Sequence, residues 1–335
     1  MQSIKSLIRE VDFEGQSFIS INSMTNDQLL ALFELGRNLE LQNRGNWQLY
    51  PDAIVSLLFF QPSTRTRMSF ETAMYRMGGN VIVENTPQTT SSIAKEESLA
   101  DMLRCVSQYA NVIVLRHPND VDAREGASYS SAPVINGGWG HWEHPTQALL
   151  DLYTLWRKFG HIEGLKVTVA AADMIEARTG HSMAQGLARL GAEVTIASPK
   201  DKAVPREVIE NIKKNYPNAK LEEAYDFEKD SFNEFIRDKD LVYLPGCSAP
   251  AGATAEAFKK VMDDYFVKHE TLDEEREKGH MIYVTHTLPR RAGEMDLAID
   301  DTPNQLCFES ILHSVSIRTA SSRTPKRSAS RSARS

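Results

Sequence analysis

The sequence predicts an α/β fold of two similar-sized domains, each a parallel-type sheet flanked by helices. Strand-like and helix-like segments alternate through both halves of the chain, which is the pattern of parallel strands joined by helical crossovers. The length of 335 residues, with 41% hydrophobic and 25% charged side chains, suits two globular domains of ordinary size. We place the first domain at 1–147 and the second at 148–303. A C-terminal helix at about 304–320 is expected to pack back on the first domain.

The first half alternates strands with helices. Short apolar runs predict strands at 53–60, 80–84, 112–115 and 132–135. Helices are predicted near 26–42, 67–77 and 96–109, and a longer one begins near Pro145. In the second of these helices, apolar side chains recur at i, i+3, i+4 and i+7 and end at a Gly-Gly pair. This alternation is what a parallel sheet requires.

The second half repeats the pattern. A strand at 166–172, a helix at 180–190 and a strand at 193–197 make a βαβ unit, and further strands are predicted at 240–244 and 281–284. The helix that begins near Pro145 is the expected bridge between the domains. Neither G-x-G-x-x-G nor G-x-x-x-x-G-K-S/T follows any of these strands. The sequence therefore gives little support to a dinucleotide site and none to a P-loop.

Charge and composition argue against several classes of partner. The formal net charge is −7, and residues 1–320 alone hold 33 basic against 45 acidic side chains, so an acidic body argues against a nucleic-acid surface. The basic tail at 321–335 is low-complexity and is predicted to be disordered. No apolar stretch of membrane-spanning length and no signal-peptide core occurs. Three widely spaced cysteines, Cys105, Cys247 and Cys307, favour a reducing compartment. We expect a cytoplasmic protein with neither nucleic acid nor membrane as a partner.

The run Ser63-Thr64-Arg65-Thr66-Arg67 lies between the first strand and its helix. The first N–H groups of a helix lack internal partners and carry partial positive charge, so oxyanions bind there readily. Arg65 and Arg67 add permanently charged, planar donors that match phosphate or carboxylate. A well-capped helix with two solvated arginines is the alternative. Five such residues in a row after a buried strand favour a phosphate site.

Polar and basic groups follow the other predicted strands as well. Ligands of open parallel sheets bind outside the carboxyl ends of the strands. In the first half, these positions hold Arg116-His117-Pro118, Asn136-Gly137-Gly138 and His144-Pro145-Thr146-Gln147. In the second half, they hold the segments 173–178, 245–250 and 286–291. A cleft between two domains would receive both sets, so we expect the active site in that cleft.

Each of these residues also has a purely structural interpretation. Arg116 could simply pair with a carboxylate, and His144 could be only a helix cap before Pro145. His141 and His144 stand at i, i+3 without a further ligand cluster, which argues against a metal site. Cys247 is a candidate nucleophile, but a single unpartnered cysteine is usually inert.

Four motifs, in this order, resemble the aspartate/ornithine carbamoyltransferase family. They are S-T-R-T-R at 63–67, L-R-H-P at 115–118, H-P-T-Q at 144–147 and H-x-L-P-R at 286–290. The resemblance runs from about 46 to 320 and is nearer to the aspartate carbamoyltransferase catalytic chain. It implies that the first domain binds carbamoyl phosphate and the second an amine acceptor, with phosphate released. It also implies a homotrimer with shared active sites. Neither a metal nor an organic cofactor is expected, since positioning and electrostatics carry the reaction.

The resemblance also assigns residues to the carbamoyl phosphate site. It places the phosphate on Ser63, Thr64, Arg65 and Thr66. It makes Arg116 a bridge between the phosphate and the carbonyl oxygen, which His144 also contacts. It assigns the carbamoyl NH2 group to Gln147 and to the carbonyl of Leu288. It also implies that the Leu288–Pro289 bond is cis. The catalytic residues are then Arg65, Thr66, Arg116 and His144. The segment 91–99 resembles a loop that enters a neighbouring subunit, with Ser91 and Lys95 at phosphate-binding positions.

The acceptor side departs from both types named in the family. R-T-G-H-S at 178–182 resembles the aspartate enzymes, in which the arginine binds an acceptor carboxylate. The R-x-Q pattern of those enzymes is replaced by P-G-C-S-A-P-A at 245–251. Thr287 stands at a position where the aspartate enzymes carry proline and the ornithine enzymes carry cysteine. The ornithine signature D-x-W-x-S-M-G is absent.

We therefore predict a carboxylate-bearing amino or ureido acid other than standard aspartate or ornithine as the acceptor, and a role in amino acid metabolism. The predicted acceptor-binding residues are Arg178, Cys247, Ser248, Pro289 and Arg290. Two alternatives stay open. Aspartate itself could be the acceptor, with Arg290 or Arg291 replacing the missing arginine, or the chain could be a non-catalytic relative that only binds carbamoyl phosphate.

Overall fold

The structure is a computed structural model that describes residues 4–41, 47–228, 230–246, 254–290 and 293–321. Its contacts divide the chain into two compact units. Unit 1 consists of Met1–Ile19, Ser23–Gly137 and Val315–Ser335, and unit 2 of Ser20–Asn22 and Gly138–Ser314. The predicted domain boundaries at 147 and 303 stay predictions. The tail beyond residue 321, predicted to be disordered, lies outside the described residues.

Helices and strands alternate along the described chain, as the predicted class requires. The strands are β1 (Ile54–Phe59), β2 (Asn80–Glu84), β3 (Val112–His117), β4 (Val134–Trp139), β5 (Lys166–Ala170), β6 (Glu193–Ser198), β7 (Lys220–Tyr225), β8 (Leu241–Leu244) and β9 (Tyr283–His286). The helices are α1 (Ile4–Val11), α2 (Asn26–Leu41), α3 (Thr64–Arg76), α4 (Pro87–Thr90), α5 (Leu99–Val106), α6 (Asp120–Ser128), α7 (Pro145–Phe159), α8 (Arg178–Arg189), α9 (Arg206–Asn215), α10 (Ser231–Phe235), α11 (Ala255–Asp264), α12 (His269–Glu277) and α13 (Cys307–Ser321). None of the helices in these described ranges is long and apolar enough to cross a membrane.

Within the described residues the strands form two sheets. Sheet 1 has the order β2-β1-β3-β4, and sheet 2 has the order β7-β6-β5-β8-β9. Strand β1 pairs in parallel with β2 and β3, and the four pairs of sheet 2 are parallel. Val55 lies opposite Val112 between β1 and β3, and Val167 lies opposite Leu241 between β5 and β8. The strands at the centre of each sheet are apolar and buried, as parallel strands covered by helices must be. The predicted α/β fold with two parallel sheets is confirmed.

Small residues bring α7 and α8 close together in unit 2. A Cβ atom placed on Gly186 of α8 would lie 2.5 Å from Cδ1 of Leu152 on α7, which is too close for any larger side chain without a shift. Eleven of the twelve residues of α8 and ten of the fifteen residues of α7 are buried. Both helices begin next to segments that carry predicted site residues, so their tight packing holds those segments in place.

Two predicted helix boundaries shift for local reasons. The helix predicted from 67 begins at Thr64, because Ser63 takes the extended backbone of an N-cap residue. The helix predicted at 96–109 is confined to α5, because Glu96 adopts a left-handed backbone (φ 68°). Ser98 then starts α5, and its hydroxyl accepts a hydrogen bond from the N–H of Asp101 at 3.1 Å. A turn therefore separates α5 from the segment that holds Ser91 and Lys95.

Strand β4 is longer than predicted. Asn136-Gly137-Gly138 was expected to follow a strand at 132–135, but β4 continues through these residues. The N–H of Asn136 donates to the carbonyl oxygen of Phe18 at 2.9 Å, so an unpredicted neighbouring segment keeps the backbone extended. A Cβ atom on Gly137 would lie 3.2 Å from the carbonyl oxygen of Leu115, so the glycine permits close approach to β3. The predicted end of this strand at 135 was therefore wrong, because these contacts continue β4 to Trp139.

Several elements at the periphery have no apolar run and were not predicted. Strand β7 is an edge strand of sheet 2 with the sequence KLEEAY, whose residues are exposed or half-buried. Helix α6 is short and polar, and it is fixed by Asn119, whose side chain accepts from the N–H groups of Val121 and Asp122. Edge and surface elements bury little apolar area, so hydrophobic pattern is a weak signal for them.

Candidate active site

The segment after β1 forms the first turn of α3. Ser63 is the N-cap residue, and its side chain makes no capping hydrogen bond with the described backbone. Thr64 and Arg65 are exposed, whereas Thr66 is 5% exposed. Helix α3 is 13 residues long, so its amino end offers partially positive N–H groups. This turn therefore presents a hydroxyl that is not used for capping, together with a cation, at a helix end suited to an oxyanion.

The backbone of this turn is held by a residue far along the chain. Arg318 of α13 is 2% exposed, and its Nη1 donates to the carbonyl oxygens of Arg65 and Thr66, at 3.2 Å each. Its guanidinium lies 4.9 Å from the centroid of the Phe70 ring. Sequence reasoning missed Arg318, because 253 residues separate it from Arg65 and no local motif connects them.

The two arginines of the run have different surroundings. Arg67 Nη1 lies 3.0 Å from Glu71 Oε2, an i, i+4 ion pair along the helix. Arg65 is the more exposed of the two, and partial burial of its guanidinium lowers its pKa from the ordinary value. Arg67 therefore serves the helix surface, while Arg65 offers its charge near the helix end.

Strand β3 carries Arg116 to the same edge of sheet 1. Arg116 lies opposite Phe59 in the register, and its carbonyl oxygen accepts from the N–H of Phe60 at 2.8 Å. Its Nη1 donates to the carbonyl oxygen of Gly137 at 3.1 Å. Since β1 leads into Ser63, this pairing places Arg116 on the strand next to the first turn of α3.

Ser91 is engaged locally. Its hydroxyl donates to the carbonyl oxygen of Pro87 at 2.6 Å and accepts from the N–H of Ile93 at 3.2 Å, which starts a short 3-10 turn at Ser92–Lys95. Lys95, at the end of that turn, is exposed. Both residues stay predicted contacts of a neighbouring subunit.

In unit 2, His144 stands at the start of α7. It is 6% exposed, and its backbone N–H donates to Ser182 Oγ at 3.0 Å. Its ring Nδ1 lies 3.4 Å from Thr146 Oγ1, and its side chain makes no capping hydrogen bond with the described part of α7. His144 therefore occupies a cap position without using its imidazole as a cap.

Two buried carboxylates organise the first turn of α7. Gln147 Nε2 donates to Asp151, at 3.1 Å to Oδ2, and Tyr243 OH donates to the same oxygen at 2.7 Å. Burial, with the charge of Asp151, raises the pKa of Tyr243 well above its ordinary value. These contacts fix which way the Gln147 amide points, because the carboxylate accepts from its NH2 group.

Glu143, the second carboxylate, is 2% exposed and orients Ser182. Its Oε2 accepts from Ser182 Oγ and from the N–H of Ile21, at 3.0 Å each, and Oε1 accepts from Ser20 Oγ at 2.6 Å. Burial raises the pKa of Glu143. Glu143 thus orients the Ser182 hydroxyl, which accepts the hydrogen bond from the backbone N–H of His144. Neither Glu143 nor Ser182 was predicted, although Glu143 directly precedes His144 in the sequence.

Arg178 begins α8 and is half-buried. Its Nη1 donates to the carbonyl oxygen of Gly140 at 2.6 Å, and burial lowers its pKa to about 10, so it stays charged at neutral pH. One turn on, the two ring nitrogens of His181 lie 3.1 Å from the carbonyl oxygen of Trp142 and 2.6 Å from that of Met174. Arg178 is therefore a desolvated, oriented cation, which is the kind of group that binds a carboxylate.

The segment after β9 folds around a cis peptide bond. The Leu288–Pro289 bond is cis, as the family resemblance implied. His286 Nδ1 accepts from the N–H of Leu288 at 3.0 Å, and Thr287 Oγ1 donates to the carbonyl oxygen of Pro245 at 2.5 Å. Together these contacts tie the carboxyl ends of β8 and β9 to each other.

The remaining predicted acceptor residues fall into two groups. Arg290 forms a two-pronged ion pair with Asp300, at 2.5 and 2.6 Å, and Asp300 raises the pKa of Arg290. Cys247 and Ser248 lie outside the described residues, as does Arg291. The acceptor role of these residues stays a prediction.

One cluster of described residues has ligand atoms close enough for a metal ion. It consists of His269, Glu270 and Asp296, whose ligand atoms lie within 4.8 Å of one another. His269 Nδ1 lies 2.6 Å from Asp296 Oδ2, and that contact raises the pKa of His269. A hydrogen-bonded histidine–aspartate pair explains the cluster without an ion.

Comparison with known proteins defines the class. A model of the aspartate/ornithine carbamoyltransferase carbamoyl-P binding domain matches residues 16–157, and one of the Asp/Orn binding domain of the same family matches residues 163–321. The chain belongs to the aspartate/ornithine carbamoyltransferase family. It is a carbamoyltransferase, which transfers the carbamoyl group of carbamoyl phosphate to an amino-acid-like acceptor.

The relatives differ in the acceptor that their names give. The chain is 63% identical over 321 residues to the ureidoglycine carbamoyltransferase of Rubrobacter xylanophilus, covering 96% of this chain and 94% of that protein. It is 36% identical over 312 residues to the aspartate carbamoyltransferase catalytic subunit of Methanosarcina barkeri, and the match covers 92% of this chain and 97% of that protein. Among solved structures, aspartate transcarbamoylase from Trypanosoma cruzi in complex with carbamoyl phosphate has a TM-score of 0.83 at 26% identity, and the match covers 95% of this chain and 98% of that chain. The catalytic subunit of aspartate transcarbamoylase from M. jannaschii has a TM-score of 0.79 at 34% identity, and the match covers 91% of this chain and 96% of that chain.

Proposed function

We propose that the acceptor is ureidoglycine and that the chain is a ureidoglycine carbamoyltransferase. The observation that carries this proposal is the 63% identity to a protein of that name, against 36% to the aspartate enzyme of M. barkeri. Ureidoglycine bears a carboxylate, an amine and a ureido group on one carbon atom. It therefore satisfies the sequence prediction of a carboxylate-bearing amino or ureido acid. Carbamoylation of its amine would give an acetate whose α carbon carries two ureido groups.

The donor phosphate is assigned to the first turn of α3. Support comes from the Ser63 hydroxyl, which is not used for capping, from the charge of Arg65 and from the partial positive charge of the helix end. Thr64 and Thr66 belong to the same turn, whose backbone Arg318 holds. A preorganised turn of this kind binds an oxyanion without reorganising when it arrives.

The reaction itself needs positioning and charge stabilisation. The neutral amine attacks the carbamoyl carbon, a C–N bond forms, and the C–O bond to phosphate breaks with its electron pair leaving on phosphate. The attacking nitrogen also loses a proton, which the leaving phosphate accepts. We assign Thr66, Arg116 and His144 to the carbonyl oxygen, where negative charge builds. Loss of one such donor costs roughly 3 to 4 kcal/mol of transition-state stabilisation.

Gln147 and the carbonyl of Leu288 are assigned to the carbamoyl NH2 group. The Gln147 NH2 group donates to Asp151, so its carbonyl oxygen is the atom left to accept from the donor substrate. The Leu288 carbonyl is an acceptor by nature. Two acceptors of this kind select an amide-type NH2 over a methyl or hydroxyl group.

The acceptor carboxylate is assigned to Arg178. Support comes from its burial and from its orientation by the Gly140 carbonyl, which together present a charged group in a low-dielectric setting. Pro289 and Arg290 stay assigned to the acceptor as well, on the family resemblance alone.

An acceptor panel tests the function. The purified full chain is given carbamoyl phosphate with ureidoglycine, aspartate, ornithine or no amine, and phosphate release and carbamoylated product are measured. We expect saturable product with ureidoglycine and release of phosphate only when it is present. Saturable N-carbamoylaspartate as the main product would instead assign aspartate. Binding of carbamoyl phosphate without turnover of any amine would assign a non-catalytic relative.

Two further features belong to the proposal. A homotrimer would let Ser91 and Lys95 of one subunit reach the phosphate of the next, and light scattering on the full chain measures that state. We also place the enzyme in the cytoplasm, where the described thiols, Cys105 and Cys307, would remain reduced. Fractionation of the source cells checks this location.

A further inference from the structure

One face of α8 carries four polar side chains. Arg178, Ser182, Gln185 and Arg189 stand at i, i+4, i+7 and i+11, so they lie on the same side of the helix. The last three are 0%, 4% and 7% exposed. Buried polar groups cost free energy unless they are hydrogen-bonded. The contacts of this face therefore indicate what it holds in place.

Ser182 holds the backbone of His144. Its Oγ accepts from the N–H of His144 and donates to Oε2 of Glu143, at 3.0 Å each. Pro145 directly follows His144, and a proline ring restricts the backbone of the residue before it. His144 is thus fixed by a hydrogen bond on its amino side and by proline on its carboxyl side. Because a side chain extends from its own backbone, Ser182 helps to set the direction in which the imidazole points.

Glu143 is fixed in turn by a segment near the start of the chain. Its Oε1 accepts from Ser20 Oγ at 2.6 Å, and its Oε2 accepts from the N–H of Ile21 at 3.0 Å. With the hydroxyl of Ser182, at least three donors converge on this one carboxyl group. The oxygen that faces Ser182 therefore has a fixed position.

The other end of the same α8 face holds that segment. Arg189 Nη1 donates to the carbonyl oxygen of Ile21 at 2.6 Å. Asn22 Nδ2 donates to Gln185 Oε1 at 2.8 Å. Gln185 and Arg189 thereby keep in place the residues that orient Glu143.

We propose that Ser182, oriented by Glu143, is a positioning residue of the reaction and acts through His144. The inference rests on the proposed function, which assigns His144 to the carbonyl oxygen of carbamoyl phosphate, where negative charge builds. A donor of this kind must lie at the right distance in the transition state, and a displacement of about 1 Å can cost about 100-fold in rate. Arg178 lies one turn earlier on the same face. One helix therefore positions both the assigned partner of the acceptor carboxylate and the assigned oxyanion donor.

The variant Ser182→Ala tests the proposal, because it removes the acceptor of the His144 N–H. We expect kcat to fall about 10- to 100-fold while the KM values of both substrates stay within about threefold, since a contact made only in the transition state changes kcat rather than KM. Steady-state kinetics on the full chain measures this split. An unchanged kcat, or a rise in KM alone, would overturn the proposal.

Ser198→Ala is the matched control. Ser198 lies in β6 of the same unit and is 0% exposed, and its hydroxyl has no hydrogen-bond partner among the described residues. Loss of this buried hydroxyl should leave kcat at the wild-type value. A fall in kcat equal to that of Ser182→Ala would show that any lost hydroxyl in the core has this effect, and would contradict the proposal.

A double-mutant cycle separates positioning from a loss of folded enzyme. His144→Ala alone should lower kcat by about 100- to 1,000-fold, the range for loss of one oxyanion donor. If Ser182 acts through the imidazole, adding Ser182→Ala to His144→Ala should lower kcat by less than about threefold more. A purely structural role would lower kcat by the same factor in both backgrounds, and that result would overturn the proposal.

A conservative variant tests Glu143. In Glu143→Gln, the amide oxygen can still accept from Ser182 and from the N–H of Ile21, and the NH2 group can donate to Ser20 Oγ. We expect kcat within about threefold of the wild type, whereas Glu143→Ala should resemble Ser182→Ala. A loss in Glu143→Gln as large as that in Ser182→Ala would contradict orientation by these hydrogen bonds.

The proposed function is judged by a separate measurement, the turnover of the acceptor panel by the wild type. Turnover of aspartate instead of ureidoglycine would remove the proposed acceptor, and the cycle would then be measured with aspartate. Turnover with equal losses in both backgrounds would remove the positioning role alone. Absence of turnover with any amine would remove the function and, with it, the catalytic role of His144.

Discussion

The residues assigned to ligands at the carboxyl edges of the two sheets are arranged in different ways. On sheet 1, the residues assigned to phosphate, from Ser63 to Thr66, are consecutive and share one helical turn. On sheet 2, the assigned residues Arg178 and Leu288 come from separate segments, and each is positioned by a different partner. The first arrangement is a local motif, and the second exists only after the chain has folded.

The difference follows from the ligands. A phosphate presents similar oxygens on all sides, so a helix end with adjacent hydroxyls and a cation is enough to bind it. An amino-acid-like acceptor has unlike groups on one carbon, and each group needs its own partner at a fixed distance. The names of the relatives for ureidoglycine and for aspartate share the carbamoyl group and differ in the acceptor. The largest effects of mutation should fall on the shared donor turn.

Arg65→Ala is expected to have the largest effect. Removal of the exposed cation from the α3 turn should abolish measurable binding of carbamoyl phosphate and lower kcat/KM by about 1,000-fold, the upper range for loss of one transition-state donor. Steady-state kinetics and calorimetry with carbamoyl phosphate measure both. An unchanged affinity for carbamoyl phosphate would remove this turn from the donor site.

Arg178→Ala should separate the two regions. We expect the KM for the acceptor to rise about 100-fold while the KM for carbamoyl phosphate changes little, because a charge-assisted pair contributes about 1.5–3 kcal/mol. Arg178→Lys is the control. It keeps the charge but loses the planar fork, so its acceptor KM should lie between those of the wild type and the alanine variant. Equal changes in both KM values would point to a structural role for Arg178.

His313 should make the stability of the protein depend on pH. It is 8% exposed in α13, its Nδ1 lies 2.9 Å from Thr154 Oγ1, and burial lowers its pKa to about 4. Since the folded pKa is below the ordinary value of about 6.5, the stability is present above pH 6.5 and is lost as the pH falls toward 4. We expect the wild type to lose about 2 kcal/mol more than His313→Gln between pH 7 and pH 5. Urea unfolding at the two pH values measures this, and parallel losses would contradict it.

Arg67→Ala should have the smallest effect. Arg67 belongs to the same run as Arg65, but it pairs with Glu71 along the helix. Loss of an i, i+4 pair should lower the free energy of unfolding by about 0.3–0.5 kcal/mol and leave kcat/KM within about threefold of the wild type. Thermal unfolding and the same kinetic assay measure these changes. A loss as large as that of Arg65→Ala would place Arg67 in the donor site too.

Much of the fold was predictable, because buried parallel strands are apolar runs. The predictions at 53–60 and 193–197 correspond closely to β1 and β6. Polar peripheral elements such as β7 were missed for lack of that signal. Strand β4 was predicted to end at 135, because its apolar run ends there, but it continues through Gly137, which permits close approach to β3.

The candidate site was predictable where it is contiguous. Ser63 to Arg67 stood out as a run, and the cis Leu288–Pro289 bond followed from the family resemblance. The residues that hold the site in place were not predicted. Arg318 and Glu143 act through backbone or hydroxyl groups far away in sequence, and such contacts leave no local pattern.

The sequence by itself determined the α/β class, the strands that are followed along the chain by polar residues, and the run from Ser63 to Arg67 after β1. These features depend on the identity of neighbouring residues, through periodicity, capping and local charge. Only the tertiary structure placed His286 within hydrogen-bonding distance of Glu294, near Gly246. It also placed Arg318 within hydrogen-bonding distance of the turn that begins at Ser63. Those contacts depend on strand register and on the packing of helices distant in sequence, which no local stretch of the chain encodes.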